Sequence, residues 1–283
     1  MELQWVAQRQ GRLSSFLRGG LKMSAGLMNK LKWGDGIRVN GLPRHTDYNV
    51  CPGDRITVRL DEPAIEYPAQ MGKLDILYED DHILLVDKPA GMLIHPSRSQ
   101  NTDTLANFVA GYYRETCQNS AFHPVTRLDR DTFGVVLLAK HSHAHSLLQA
   151  GDLEKTYHAR TFGGPTDQQG TIDAPIARRP LPSLLRYVGP EGKPSRTEYQ
   201  VLEREGELCK LALRPITGRT HQLRVHCAYM GYPILGDPQY GSEASLAMSE
   251  ILGVKTQLLC AHRLKFQHPF TEKLLTITSN MDV

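Results

Sequence analysis

The segment Arg127-Leu128-Asp129-Arg130-Asp131-Thr132-Phe133-Gly134 crowds two arginines and two aspartates into one loop, directly before the apolar run 135–139. A carboxylate beside a guanidinium is favoured in its ionised form, and an aspartate must be ionised to act as a nucleophile. The apolar run reads as a buried strand, and a loop anchored by such a strand can hold a reacting group still. A salt-bridged surface turn uses the same residue types, so the loop alone leaves both readings open. His141, His143 and His145 look like metal ligands, but they open a helix on which only His141 and His145 share a face. Two histidines without a third ligand do not make a zinc site, and no metal is expected. Asp131 reads as a loop hydrogen-bonder, Asp87 and Lys88 as residues that shape a loop, and Gly218 and Gly236 as turn glycines.

The elements that would position this loop follow from pattern. Short β-type runs occur at 83–86, 135–138, 197–202, 208–213 and 274–277, and helical stretches at about 103–114, 142–150 and 219–230. This irregular alternation predicts an α+β fold with a mixed, mainly antiparallel sheet. In the last helix Leu223, Cys227 and Met230 form a stripe toward the core, which sets Arg224 at its edge, within reach of a carboxylate. Upstream, residues 11–32 predict two short helices broken at Gly19-Gly20. Two strands follow, one running into the turn Asn40-Gly41 and one after Pro52-Gly53. Residues 61–73 lack periodicity and carry two prolines, which places a linker between a small domain at 1–60 and a large one at 74–283.

Residues 1–60 hold ten Lys/Arg against four acids, a local excess of +6 in a chain whose formal net charge is +3. Concentrated positive charge predicts contact with a polyanion, since each cation set against a phosphate releases counterions. Hydrophobic content of 40% and charged content of 22% exclude a disordered chain. Cys51, Cys117, Cys209, Cys227 and Cys260 include no close pair, against a zinc ribbon or a disulfide framework and in favour of the cytoplasm. No apolar run approaches the roughly 18 residues that span a bilayer.

The loop at 127–134 resembles the R-L-D-x-x-T-S-G motif of RluA-type RNA pseudouridine synthases, and three further motifs stand in that family's order. They are Leu84 through Pro96, the strand Lys155-Thr156-Tyr157, and the long run from Pro215 through Arg224 and His226 to Gly241. The resemblance covers roughly residues 74–280. The basic helices at the start, with Arg38-Val39-Asn40-Gly41 and Pro52-Gly53-Asp54-Arg55-Ile56-Thr57-Val58, are similar to a small α/β RNA-binding domain of the ribosomal S-four type.

The resemblance implies a catalytic domain with a central cleft flanked by helices and loops, in which uridine in RNA is isomerised without a cofactor. It implies Asp129 as nucleophile on the sugar or the base, Tyr157 stacked under the detached base and able to assist removal of the C5 proton, Arg224 paired with Asp129, and Arg127 filling the space of the flipped nucleotide. Arg12, Arg18, Lys22, Lys30 and Lys32 are the expected RNA contacts of the small domain. Ribosomal RNA of the large subunit is favoured as substrate, with transfer RNA the alternative, and the chain is expected to act as a monomer with no obligate protein partner. Thr126 and Phe133 depart from the family's usual His and Ser, and bear on substrate choice. A non-catalytic RNA-binding or ribosome-assembly factor on the same scaffold is the rival reading, and intact Asp129, Tyr157 and Arg224 speak against it.

Overall fold

The computed structural model describes residues 2–60, 62, 65, 67–97, 100–180 and 182–283. The first 60 residues contain β1 (Glu2–Val6), β2 (Gly11–Arg12), α1 (Leu13–Gly19), α2 (Ala25–Leu31), β3 (Ile37–Val39), β4 (Leu42–Pro43), β5 (Asn49–Val50) and β6 (Arg55–Arg59). Their main sheet runs β1-β6-β3-β4 and encloses a core of its own, with Leu3, Leu13, Leu17, Leu31, Ile37 and Ile56 among its members. Asn40 and Gly41 take φ of +52° and +82°, the left-handed pair that a tight hairpin requires. The Asn40 side chain accepts the Arg55 N–H at 2.9 Å and donates to Asp54 at 2.8 Å, which ties the two turns together. Strand β1, which pairs with β6, was not expected from the sequence.

The expected linker is only partly described, since Asp61, Pro63, Ala64 and Glu66 lie outside the described residues. Its described part is strapped down. Glu62 accepts Ser142 N–H at 3.0 Å and Oγ–H at 2.7 Å, and Asn107 donates to Pro68 O at 2.9 Å.

The larger part contains β7 (Asp75–Glu79), β8 (Ile83–Lys88), α3 (Leu105–Glu115), β9 (His123–Pro124), β10 (Phe133–Ala139), α4 (Ser142–Ala150), β11 (Leu153–Phe162) and β12 (Gln169–Asp173). It continues with β13 (Ile176–Arg178), β14 (Arg186–Val188), β15 (Arg196–Glu205), β16 (Leu208–Pro215), α5 (Gln222–Tyr229), α6 (Glu243–Ile251), β17 (Leu259–Gln267) and β18 (Leu274–Thr278). The ten-stranded sheet follows the order β12-β15-β16-β11-β17-β10-β8-β7, with β18 beside β17 and β9 beside β10. Its pairs are antiparallel except β10 with β17, so the sheet is mixed and mainly antiparallel, as the pattern predicted.

Strand β10 is apolar without alternation because both of its faces are covered. Val136 and Leu138 pack with Leu84 and Val86 against Leu105, Val109 and Tyr113 of α3. Val135 and Leu137 pack with Leu85 against Ala144 and Leu148 of α4. Each fully buried leucine here contributes roughly 2 kcal/mol of transfer free energy, which makes β8 and β10 the rigid floor beneath the loop at 127–132.

Candidate active site

The loop is fastened at both ends before it presents anything. The Thr126 hydroxyl accepts Leu137 N–H at 2.9 Å, and Gln257 donates to the Thr132 hydroxyl at 2.7 Å. Between them Thr132 N–H reaches back to Asp129 O at 3.2 Å. From below, the buried Lys88 Nζ donates to Arg130 O at 2.9 Å, Pro89 O at 2.8 Å and Met92 O at 2.9 Å. Desolvation pulls this amine down to about 7, while Asp131 and Asp129 pull it upward. Three carbonyl acceptors use all three donors of an ammonium, whereas a neutral amine supplies two, so the geometry favours the charged form. Lys88 shapes the loop as expected. Asp87 instead accepts Ser279 Oγ–H at 2.7 Å and Asn280 N–H at 2.8 Å, far along the chain.

Asp129 sits at the top of this loop, its side chain 32% exposed, and Arg224 Nη1 donates to its Oδ2 at 3.2 Å. The sequence reading placed Arg224 at the edge of a helix, but it is itself buried, because α5 is enclosed from Gln222 through Cys227. A buried guanidinium needs anionic or carbonyl partners. Asp237, wholly buried, takes Arg224 Nε at 2.7 Å and Nη2 at 2.8 Å, and Gln239 takes Nη2 at 2.8 Å. Asp237 and Gln239 were missed as site residues, although the run Gly236-Asp237-Pro238-Gln239-Tyr240 was in view. Gly236 has φ of +71°, and a Cβ there would stand 2.2 Å from Thr256 O, which explains the turn glycine. Gly218, also read as a turn glycine, has open space around it and no positive φ.

Tyr157 lies on β11 opposite Leu213, where the register with β17 shifts between Thr156 and His158. Such a bulge re-aims a side chain. Burial pushes the Tyr157 hydroxyl above its ordinary value, and the nearby Asp129 carboxylate pushes it further in the same direction. The hydroxyl therefore stays protonated at neutral pH, which suits a stacking ring better than a base. Asp129, Arg224 and Tyr157 are thus brought to one place. Arg127 is exposed, close enough to His95 to help lower that imidazole after burial has done so. Thr126 and Phe133, the two departures, are both buried in the scaffold.

Of the five expected RNA contacts, Arg12, Arg18 and Lys30 are exposed, while Lys32 lies over the Trp33 ring at 5.0 Å. Lys22 turns the other way. It pairs with Glu272 at 2.8 Å and donates to Pro269 O at 3.2 Å, bridging to the larger part. The histidines of α4 are engaged in structure. His141 accepts Ala144 N–H at 3.2 Å as the helix cap, and His143 lies 2.7 Å from Leu21 O. Among the described residues His158, His262 and Asp282 offer ligand atoms within 4.8 Å of one another. Their two imidazoles stack at 3.8 Å between centroids, and Asp282 pairs with His158 and Lys210.

Residues 82–229 match the family model described as RNA pseudouridylate synthase. The chain is also 36% identical over 262 residues to an uncharacterized RNA pseudouridine synthase of Bacillus subtilis, YjbO, with 90% of each chain covered. The chain belongs to the RNA pseudouridylate synthase family. It is an RNA pseudouridine synthase, and therefore an isomerase. Ribosomal large subunit pseudouridine synthase C of Vibrio cholerae is 32% identical to it, over 96% of this chain and 90% of the relative. Among solved structures, Human RNA Pseudouridylate Synthase Domain Containing 1 superposes with a TM-score of 0.60 at 24% identity, covering 78% of this chain and 86% of the human one. That likeness bears on the fold of the pseudouridine synthase. Among the described residues no helix is long and apolar enough to cross a membrane.

Proposed function

We propose that the chain isomerises specific uridines of large-subunit ribosomal RNA to pseudouridine, with Asp129 as the nucleophile. The observation that carries this reading is the 3.2 Å contact between Asp129 and an Arg224 that the buried Asp237 fixes in place. The bond between N1 and the anomeric carbon breaks, the base turns, a bond from C5 to that carbon forms, the C5 proton leaves to solvent, and N1 takes up a proton from solvent. Atoms and electrons balance without a cofactor. Asp129 attacks the anomeric carbon or C6 of the ring, and both routes fit a carboxylate that is partly exposed; the adduct bond to Asp129 then breaks as the product is released.

Arg224 aims Asp129, and Tyr157 stacks under the detached base. Flipping the uridine costs a few kcal/mol, and Arg127 at the rim fills the vacated space. Residues 1–60 act as an S-four-like RNA-binding domain through Arg12, Arg18, Lys30 and Lys32, residues 61–73 join it, and 74–283 form the catalytic domain. The choice of ribosomal RNA draws support from relatives named ribosomal large subunit pseudouridine synthases in Vibrio cholerae and Haemophilus ducreyi. Nucleoside analysis of separated ribosomal and transfer RNA, each incubated unmodified with the enzyme, tests the reading. Pseudouridine should appear in large-subunit RNA with the wild type and be absent with Asp129→Asn. Product made by the variant, or made only in transfer RNA, would refute the nucleophile or the substrate respectively.

A further inference from the structure

His221 caps α5 with φ of +58°, a left-handed backbone that a non-glycine residue keeps only where its surroundings hold it. Its Nε2 lies 3.9 Å from Asp129 Oδ2, the same oxygen that Arg224 Nη1 contacts. Its Nδ1 lies 2.9 Å from the Tyr240 hydroxyl, and that oxygen accepts the backbone N–H of Arg186 on β14 at 2.9 Å. The Tyr240 ring stands 5.0 Å from the Arg224 guanidinium. Three separate elements thus converge to orient one imidazole beside the carboxylate.

The tautomer follows from complementarity. A proton on Nδ1 would turn the Nε2 lone pair toward the Asp129 carboxylate, lone pair against anion. A proton on Nε2 presents an N–H to Asp129 and leaves Nδ1 to accept the Tyr240 hydroxyl proton. The groups facing His221 are Asp129, Arg224, Arg186, Asp237 and Tyr240. Burial holds the imidazole below its ordinary value, Arg224 and Arg186 act the same way, and Asp129 and Asp237 oppose them. The ring is neutral at pH 7.

We propose that His221 is a positioning residue of the isomerisation, a neutral imidazole aimed by Tyr240 whose Nε2–H closes on Asp129 and fixes it for attack. This rests on Asp129 being the nucleophile. The gap is roughly one ångström beyond a hydrogen bond, and contacts of this kind tighten when substrate is seated. Once protonated, the imidazolium would pair with Asp129 as a full charge and withdraw it from the reaction. Turnover should then fall on the acid side.

Steady-state kinetics on unmodified RNA with the full chain test this in four proteins: wild type, His221→Asn, His221→Gln and Tyr240→Phe. Asparagine tolerates the left-handed backbone but cannot reach Asp129, whereas glutamine reaches with an amide N–H that does not titrate. Turnover in His221→Asn should fall roughly 10- to 100-fold with KM within about twofold. Tyr240→Phe should lower turnover in the same direction. His221→Gln should keep most turnover near neutrality, with a higher ratio of acid to neutral turnover than the wild type. Wild-type turnover in His221→Asn, or equal losses in the Asn and Gln variants with an unchanged pH ratio, would overturn the proposal. An inactive Asp129→Asn beside unaffected His221 variants removes this inference alone, while an active Asp129→Asn removes the nucleophile assignment beneath it.

Discussion

Arg224 divides its guanidinium between two carboxylates, and only one of them is accessible. Asp129 stays partly exposed, while Asp237 is wholly enclosed and also accepts the N–H groups of Gln239 at 3.0 Å and Tyr240 at 3.2 Å. Asp237 is therefore the fixed side of the pair, and Asp129 the side left accessible. Replacing Asp237 by Asn sets an amide donor against the Arg224 N–H groups or forfeits the turn, and leaves a buried cation short of an anion. The variant should lose about 3 kcal/mol of stability and turn over at least roughly tenfold more slowly, read from urea denaturation and initial rates. At this scale the motifs picked out Asp129, Tyr157 and Arg224, which the structure brings to one place. Asp237 and His221 stood in the same motif, yet what distinguishes them is burial and backbone angle, and one-dimensional spacing carries neither.

At the level of elements, the site depends on β10 lying parallel and close to β17. Gly134 permits this, with φ of +107° and a Cβ position that would stand 2.5 Å from Ala261 O. Gly134→Ala should cost about 3 kcal/mol or more, from left-handed strain and backbone collision together, and should lower the thermal midpoint without changing the chemistry of any side chain. A midpoint equal to the wild type would show that the two strands can separate at no cost. Strands β8, β10, β15, β16 and β18 were readable as apolar or alternating runs. Strand β17 and most of β11 were not, because they are central to the sheet yet carry polar residues, Tyr157 toward Asp129 and His158 and His262 beside Asp282. Helix α6 was missed as well. Only Ser245 and Ser249 are buried along it while Ile251 is 78% exposed, which removes the apolar stripe that marks a helix.

Across the whole molecule, the basic first part is held to the rest by Lys22 with Glu272 and by His143 with Leu21 O, beside a histidine group of His82, His141 and His268 around Phe270. The charge count foresaw an excess of cations there but could not say that Lys22 reaches across to Glu272 and Pro269 of the larger part. His141 is wholly buried, and desolvation, reinforced by His82, pushes it down to about 3. Its folded value thus lies below its unfolded one, so the unfolded chain binds the extra proton and stability is lost as pH falls below about 6.5. Glu62, held at about 2 by hydrogen bonds from His123 and Ser142 against the opposing effect of burial, adds its own loss only below about 4.5. Between those limits, His141→Asn keeps a helix-capping oxygen but removes the titration, and its urea midpoint should fall less steeply with pH than that of the wild type. An identical slope would exclude His141 as the source. The proposed isomerisation passes through Asp129, and release of tritium from RNA labelled at C5 of uridine reads that step directly. With RNA binding matched between the two proteins, the wild type should release tritium in proportion to pseudouridine formed and Asp129→Asn should release none, whereas tritium released by the variant at the wild-type rate would exclude Asp129 as the nucleophile.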